Sequence, residues 1–189
     1  MGRIVVTEFV SLDGVMEDPG GAEGFEHGGW TFKFERGEEG DKFKLDELNE
    51  AEAQLLGRKT YEGFAAAWPT IEDEAGFADK MNSMPKYVVS STLESADWNN
   101  STILSGDVPT EVAKLKDEVD GVILVAGSAQ LVQTLVEHDL VDELRLMVFP
   151  VVLGKGKRLF GETNDKKTLR LADTKVVGDG IAILIYKRG

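Results

Sequence analysis

The chain has no cysteine, two histidines, five prolines and few cations. Without cysteine there is no disulfide, no thiolate metal centre and no cysteine nucleophile. His27 and His138 are too few and too isolated for a histidine metal site, so no metal is expected. His138 reads as the end of a helix, where a cation suits the dipole. No run of about 18 apolar residues appears, and no charged-then-apolar leader opens the chain. A soluble, cytoplasmic protein without a membrane partner is therefore expected. Lys and Arg number 21 against 34 Asp and Glu, a formal net charge of −13. That excess disfavours nucleic acid and anionic surfaces as partners. It is also uneven: residues 1–80 hold 19 acids and 8 bases, net −11, whereas residues 81–189 hold 15 and 13, net −2. Any phosphate site must then place its cations locally. Neither G-x-G-x-x-G nor G-x-x-x-x-G-K-[ST] is present, which excludes the usual dinucleotide fingerprint and the P-loop.

What is there reads as one α/β domain over residues 1–189, because β-rich runs alternate with helical periodicity and no linker or repeat interrupts them. The organising stretch is Val122 to Ala126, five apolar residues that predict a strand buried on both faces. It runs through Gly127 and Ser128 into a helix whose stripe is Leu131, Val132, Leu135 and Val136. Gly127 permits close approach to the backbone, Ser128 can cap the helix, and the free N–H groups of its first turn suit an anion. An ordinary strand-to-helix junction would need the same two residues for geometry alone.

Two other strand ends offer similar chemistry. Gly57-Arg58-Lys59-Thr60 turns from a short apolar strand, Ala53 to Leu56, into a helix, with two cations at its start and Thr60 as a possible cap. Ser90-Ser91-Thr92 leaves the strand Lys86 to Val89 with three hydroxyls, which serve either a ligand or a local turn. In a doubly wound sheet such ends converge on one crevice, and one multiply phosphorylated ligand fits three anion sites.

Arg3 to Ser11 predicts another strand, ended by Leu12-Asp13-Gly14. The glycine-rich, acidic segment from Leu12 to Gly40 is long and irregular, and its Trp30, Phe32 and Phe34 argue for a lid or binding loop rather than disorder. A helix is expected from Asp41 to Glu52 with Leu45 and Leu48 inward. Asp41, four residues before Leu45, is expected on that same face; capping the helix is its plainer role. After an alternating strand, Asp142 to Phe149, comes the loop Pro150 to Phe160 with two glycines and three cations. Leu169 to Val177 and Ile181 to Tyr186 predict an antiparallel hairpin about Gly178-Asp179-Gly180. The sheet is thus mixed, with helices first and a hairpin on one edge.

Taken together, Ser11-Leu12-Asp13-Gly14, Leu56 to Glu62, Val89-Ser90-Ser91 and Ala126-Gly127-Ser128 resemble the dihydrofolate reductase-like superfamily. The later run Leu140 to Leu144, Pro150 to Gly156 and Leu159-Phe160 is similar to one branch, the reductase domain of the riboflavin-biosynthesis deaminase-reductase and its free-standing relatives. This resemblance implies a three-layer fold, a mixed and mostly parallel sheet with helices on both faces and a C-terminal antiparallel hairpin. It implies an NADPH-dependent reductase, with Arg58, Lys59, Thr60, Ser90 and Ser91 on the cofactor phosphates. Gly127, Ser128, Ala129 and Gln130 would hold the pyrophosphate, and Asp13 and Gly14 would border the nicotinamide. Asp41 would anchor the substrate and help supply a proton, so that Asp41 and Asp13 are the implied catalytic residues and Asp41, Trp30 and Phe149 the substrate contacts. A small heterocycle is the implied substrate and a homodimer the implied assembly. No deaminase module is expected, since no cysteine is available for its zinc. Ala126-Gly127 stands where the superfamily usually has a Gly-Gly pair, and the dihydrofolate reductase Pro-Trp segment is absent. Two alternatives stand beside this reading: a weak dihydrofolate reductase activity, and a dinucleotide-binding module without catalysis.

Overall fold

In the computed structural model, which describes residues 1–189, eight strands form one sheet in the order β4-β3-β2-β5-β1-β6-β8-β7. They are β1 (Arg3–Ser11), β2 (Ala51–Gly57), β3 (Lys86–Val89), β4 (Ser101–Leu104), β5 (Val122–Ala126), β6 (Glu143–Phe149), β7 (Leu169–Val177) and β8 (Ile181–Arg188). The first six pair in parallel, and β8 runs antiparallel to both β6 and β7. The helices are α1 (Gly37–Glu50), α2 (Arg58–Ala67), α3 (Phe77–Ser83), α4 (Val108–Glu118) and α5 (Ala129–Glu137). No helix is long and apolar enough to cross a membrane.

Strand alternation builds the layers. Ile123 and Val125 of β5 point into a core shared with Val112 and Leu115 of α4 and with Leu131, Val132 and Leu135 of α5. Their neighbours Val122 and Leu124 point into a second core with Leu48 of α1, Tyr61 of α2 and Met81 of α3. A strand with helices over both faces must be apolar at every position, as Val122 to Ala126 is. Each buried Leu or Val contributes roughly 1.5–3 kcal/mol. A third, aromatic core under the hairpin holds Trp30, Phe149, Val177, Ile181 and Ile183.

Helix α1 begins four residues before the expected start. Gly37, at φ 68°, turns the chain against the hairpin tip, where a Cβ on Gly178 would lie 1.8 Å from the Glu35 carbonyl oxygen. Asp179 seals this contact by donating its N–H to Glu35 O at 2.9 Å and accepting from Glu35 N at 2.8 Å. The tertiary contact, not the local cap signal, thus sets where the helix starts. Between β1 and α1 the chain is irregular but pinned. Buried Asp18 accepts from the N–H groups of Glu23 and Phe25, and Met16 N donates to Lys157 O at 2.8 Å. The loop after β6 is therefore strapped to the loop after β1.

Candidate functional site

The parallel strands β1, β2, β3 and β5 end at the same side of the sheet. There the heads of α2 and α5 interlock. Ser128 Oγ accepts from the Gly57 N–H at 2.8 Å and donates to Ala126 O at 3.1 Å. In return, Thr60 Oγ1 accepts from the Ser128 N–H at 2.9 Å. The two hydroxyls expected to cap their helices instead tie one helix head to the other, and neither helix has a side-chain cap. Gly127 and Ser128 both adopt left-handed backbone, at φ 57° and 62°. A Cβ on Gly127 would lie 2.8 Å from Thr60 Oγ1, so the turn closes only on glycine. The uncapped N–H groups of two helix starts thus lie side by side, with exposed Arg58 and Lys59 beside them. Such a cradle of donors and cations is chemically suited to an anion. Arg58 lies 3.7 Å from Glu62 one turn along α2, a loose surface pair.

The remaining anticipated residues are placed as follows. Ala129 is half-buried and Gln130 exposed at the head of α5. Ser90 is buried, and its Oγ accepts from Thr92 N and Leu93 N, so it serves the local turn while Ser91 stays exposed. Gly14, at φ 78°, shapes the turn after β1, its would-be Cβ facing open space.

Four expectations need correction. Asp41 does not face inward: its side chain is 66 % exposed and paired with Arg36 at 3.0 Å. The inward face of α1 is the stripe of Gly40, Lys44, Glu47 and Leu48, and Leu45 is only half-buried, so the face that Asp41 shares with Leu45 lies at the edge towards solvent. Asp13 cannot hold a proton near neutrality. Its carboxylate accepts from Ser11 Oγ at 2.5 Å, Leu153 N at 3.1 Å and Gly154 N at 2.8 Å, and these donors, Ser11 foremost, lower its pKa to about 2. It is a strap between two loops. Phe149 is fully buried, edge-on to Phe9 and Trp30. Trp30 is buried too, donating Nε1–H to Glu17 O at 2.9 Å, and borders a cavity of about 300 Å³ that no cradle residue lines. Both aromatics are core residues because the loop folds down over the sheet.

Sequence reasoning missed two charged groups behind the cradle, Glu8 and Lys44. Glu8 of β1 is buried, and its Oε2 accepts from the Gly127 N–H at 3.1 Å. Its Oε1 is buried without a partner. Burial raises its pKa well above the ordinary carboxyl value, although Lys44 and the Gly127 amide oppose this. From α1, Lys44 Nζ donates to Thr7 Oγ1 at 2.8 Å, pairs with Glu47 at 2.5 Å and lies over the Phe9 ring. Thr7 is the β1 partner of Ala126, so Lys44 reaches the strand at the level of the cradle. The available signal was Glu8 itself, an acid inside a strand otherwise apolar enough to be buried on both sides.

The chain as a whole is similar to known proteins. The RibD C-terminal domain family matches residues 3–183. The Bacillus subtilis (strain 168) protein YyaP is 31% identical over 187 residues, covering 97% of this chain and 94% of that protein. A candidate riboflavin biosynthesis protein from Shewanella sp. PV-4 superposes with a TM-score of 0.79 at 21% identity, over 99% of each chain. A dihydrofolate reductase from Enterococcus faecalis, solved with NADP(H), gives a TM-score of 0.57 at 14% identity over 99% of this chain and 96% of that one. These two structural likenesses establish the dihydrofolate reductase-like fold.

Proposed function

The chain belongs to the RibD C-terminal domain family, and on that premise we propose that it is a cytoplasmic, NADPH-dependent reductase of a pyrimidine- or pterin-like heterocycle. The reaction it most resembles is reduction of 5-amino-6-(5-phosphoribosylamino)uracil in riboflavin biosynthesis. One observation carries the reading: two uncapped helix heads locked together by Ser128 and Thr60 at the ends of adjacent parallel strands. A bridged diphosphate needs several N–H donors converging from separate elements, and a turn that only glycine can close keeps side chains out of its way. The residues present fit the cofactor.

In this proposal the first-turn N–H groups of Ala129 and Gln130 hold the diphosphate over the Gly127–Ser128 turn, whose own N–H groups go to Glu8 and Thr60, with Arg58, Lys59, Thr60 and Ser91 on the remaining phosphate charge. Gly14 borders the nicotinamide through the turn after β1. When bound, the nicotinamide supplies the hydride, and the protein orients it and excludes water. Lys44, fixed by Thr7 and Glu47, brings a cation to the α1 side of β1 and favours an acceptor on which negative charge develops. A pteridine anchored by Asp41 is disfavoured, because that carboxylate stands in solvent beside Arg36. The assembly proposed is a homodimer through β7, an edge strand on which Leu171 and Val176 are exposed.

The test is a titration of the purified protein with NADPH and NADH, read by quenching of tryptophan fluorescence. Micromolar binding of NADPH with preference over NADH is expected, and Arg58→Ala and Lys59→Ala should erode that preference. NADPH oxidation in the presence of aminouracil and pterin substrates then identifies the acceptor. Failure to bind either nucleotide would overturn the reductase reading.

A further inference from the structure

The carboxyl group directly beneath the cradle is unexpected in a site for a polyanion. Glu8 lies in the middle of β1 with 6% of its surface exposed, and its Oε2 takes the Gly127 N–H at 3.1 Å. Oε1 has no donor at all. A carboxylate needs donors on both oxygens when water is excluded, whereas a neutral carboxyl places its proton on one oxygen and accepts on the other. With water excluded and one donor in place, the ionised form costs more than the neutral one, because an unpartnered neutral oxygen is a smaller penalty than an under-solvated charge. We propose that Glu8 sets the charge of the cofactor cradle: its carboxyl must keep its proton for the Gly127–Ser128 turn to accept a diphosphate, so that losing the proton to solvent expels the cofactor. The inference rests on the NADPH reading above and assigns a regulation to that same site.

The groups bearing on Glu8 are few. Lys44 and Glu47 of α1 act in opposite senses, and they pair with each other at 2.5 Å, so their fields partly cancel. Across the sheet, β6 presents Leu146, β5 ends in Ala126, and the first turn of α5 has no acidic residue. Burial, which raises the pKa of the carboxyl, is therefore the dominant influence. An ionised Glu8 would place a full negative charge one hydrogen bond from the turn, in surroundings that screen it poorly. Glu8 acts as a positioning residue, through the Gly127 amide and the local charge, and takes no part in hydride transfer.

The experiment measures NADPH affinity by tryptophan fluorescence and by calorimetry from pH 7 to about pH 9.5, for the protein and for Glu8→Gln. Cofactor phosphates, with a second pKa of about 6, keep a constant charge over this range. The wild-type dissociation constant should rise about tenfold or more. Glu8→Gln, neutral throughout and with an oxygen to accept from Gly127, should bind at pH 7 within about threefold of wild type and change less than about twofold across the range. Calorimetry of the wild-type protein in two buffers of different ionisation enthalpy should show proton uptake on binding in the alkaline range, a readout that does not depend on the variant folding. Parallel pH curves for the two proteins, or binding without proton uptake, would overturn the inference and leave the cofactor reading intact. Absence of NADPH binding at every pH would overturn both.

Discussion

Ser128 is the residue whose removal most directly separates the geometry of the cradle from its charge. Its hydroxyl is the acceptor for the Gly57 N–H and a donor to Ala126 O, joining β2, β5 and the heads of α2 and α5. Ser128→Ala leaves the Gly57 amide, which is half-buried, without its acceptor, at a cost of about 1–3 kcal/mol. The backbone at φ 62° remains left-handed, so alanine keeps the strain that serine already bears. Ser128→Gly loses the same hydrogen bonds but relieves the strain by about 1 kcal/mol. The expected order of stability is thus wild type, then glycine, then alanine. Urea unfolding, with a slope of about 2 kcal/mol/M, resolves these steps as a midpoint shift of about 0.5–1.5 M for alanine and about 0.5 M less for glycine. Both variants lose the tie that aligns the helix heads, so both should weaken NADPH binding about tenfold, or about 1.4 kcal/mol. If both variants bound NADPH like wild type, the interlock would not be what positions the donors. If alanine proved as stable as glycine, the strain argument would be wrong.

Gly178→Ala should destabilise by about 2–4 kcal/mol in urea unfolding, because its methyl would lie 1.8 Å from Glu35 O at a left-handed backbone position; a neutral result would mean that the hairpin tip does not hold the start of α1. Lys86 is fully buried, its ammonium donating to Asn82 O, Met84 O and Asn99 O with Trp98 alongside, and burial lowers its pKa from 10.5 to about 8. The unfolded chain then binds more protons between those values, so the full penalty of up to about 3 kcal/mol applies below pH 8 and is released as pH rises towards 10.5. Stability measured relative to Lys86→Met should accordingly rise from pH 7.5 to pH 10, and a flat difference would refute the argument. Asp13, with its pKa lowered to about 2, stabilises fully above about pH 4 and loses that contribution as pH falls through 2. After allowance for solvent screening, Asp13→Asn should cost about 1 kcal/mol at pH 7 by urea unfolding, with no change in the neutral pH–rate profile; a shifted profile would restore Asp13 as a titrating catalytic group. Asp41→Asn should keep NADPH affinity and turnover within about threefold, since only an exposed ion pair with Arg36 is lost; abolished turnover would show that α1 reorients on binding substrate.

The strands were legible because their neighbours on the sheet impose a simple rule. Val122 to Ala126 is apolar at every position, and the structure buries both of its faces; Leu169 to Val177 and Ile181 onward flank a Gly-Asp-Gly turn, and they pair as a hairpin. The helix over Asp41 was misjudged in phase for a physical reason. The stripe that turns inward runs through Gly40, Lys44, Glu47 and Leu48 rather than through Leu45, because a glycine and two paired charged side chains pack there, where local hydrophobicity points to leucine. Ser128 and Thr60 were legible as residues of interest but not as partners, because a hydroxyl near a helix head serves a cap or a neighbouring turn with the same local sequence. Asp13, Trp30 and Phe149 depend on a loop closing over the sheet, which no local pattern records.

Glu8 differs from these cases, since the sequence shows it plainly. Every rule that makes Arg3 to Ser11 an inner strand predicts an apolar residue at position 8, and an acid there costs several kcal/mol unless it is neutral or well paired. The structure supplies one amide, from Gly127, and leaves the other oxygen bare. Nothing in the packing demands that arrangement, because Val6 and Val10 fill the same face on either side. A strand that bears this cost beside an anion cradle, in a chain already at −13, has its charge placed where a proton can remove it. Substituting Glu8 by Gln should therefore raise stability relative to the wild type as pH climbs above the ordinary carboxyl range, where the unfolded carboxyl ionises and the folded one keeps its proton, so that the gain is already present at about pH 7 and absent near about pH 4. A folded Glu8 that retained an ordinary carboxyl pKa, measured by its side-chain carbonyl band or by carbon NMR, would refute this account.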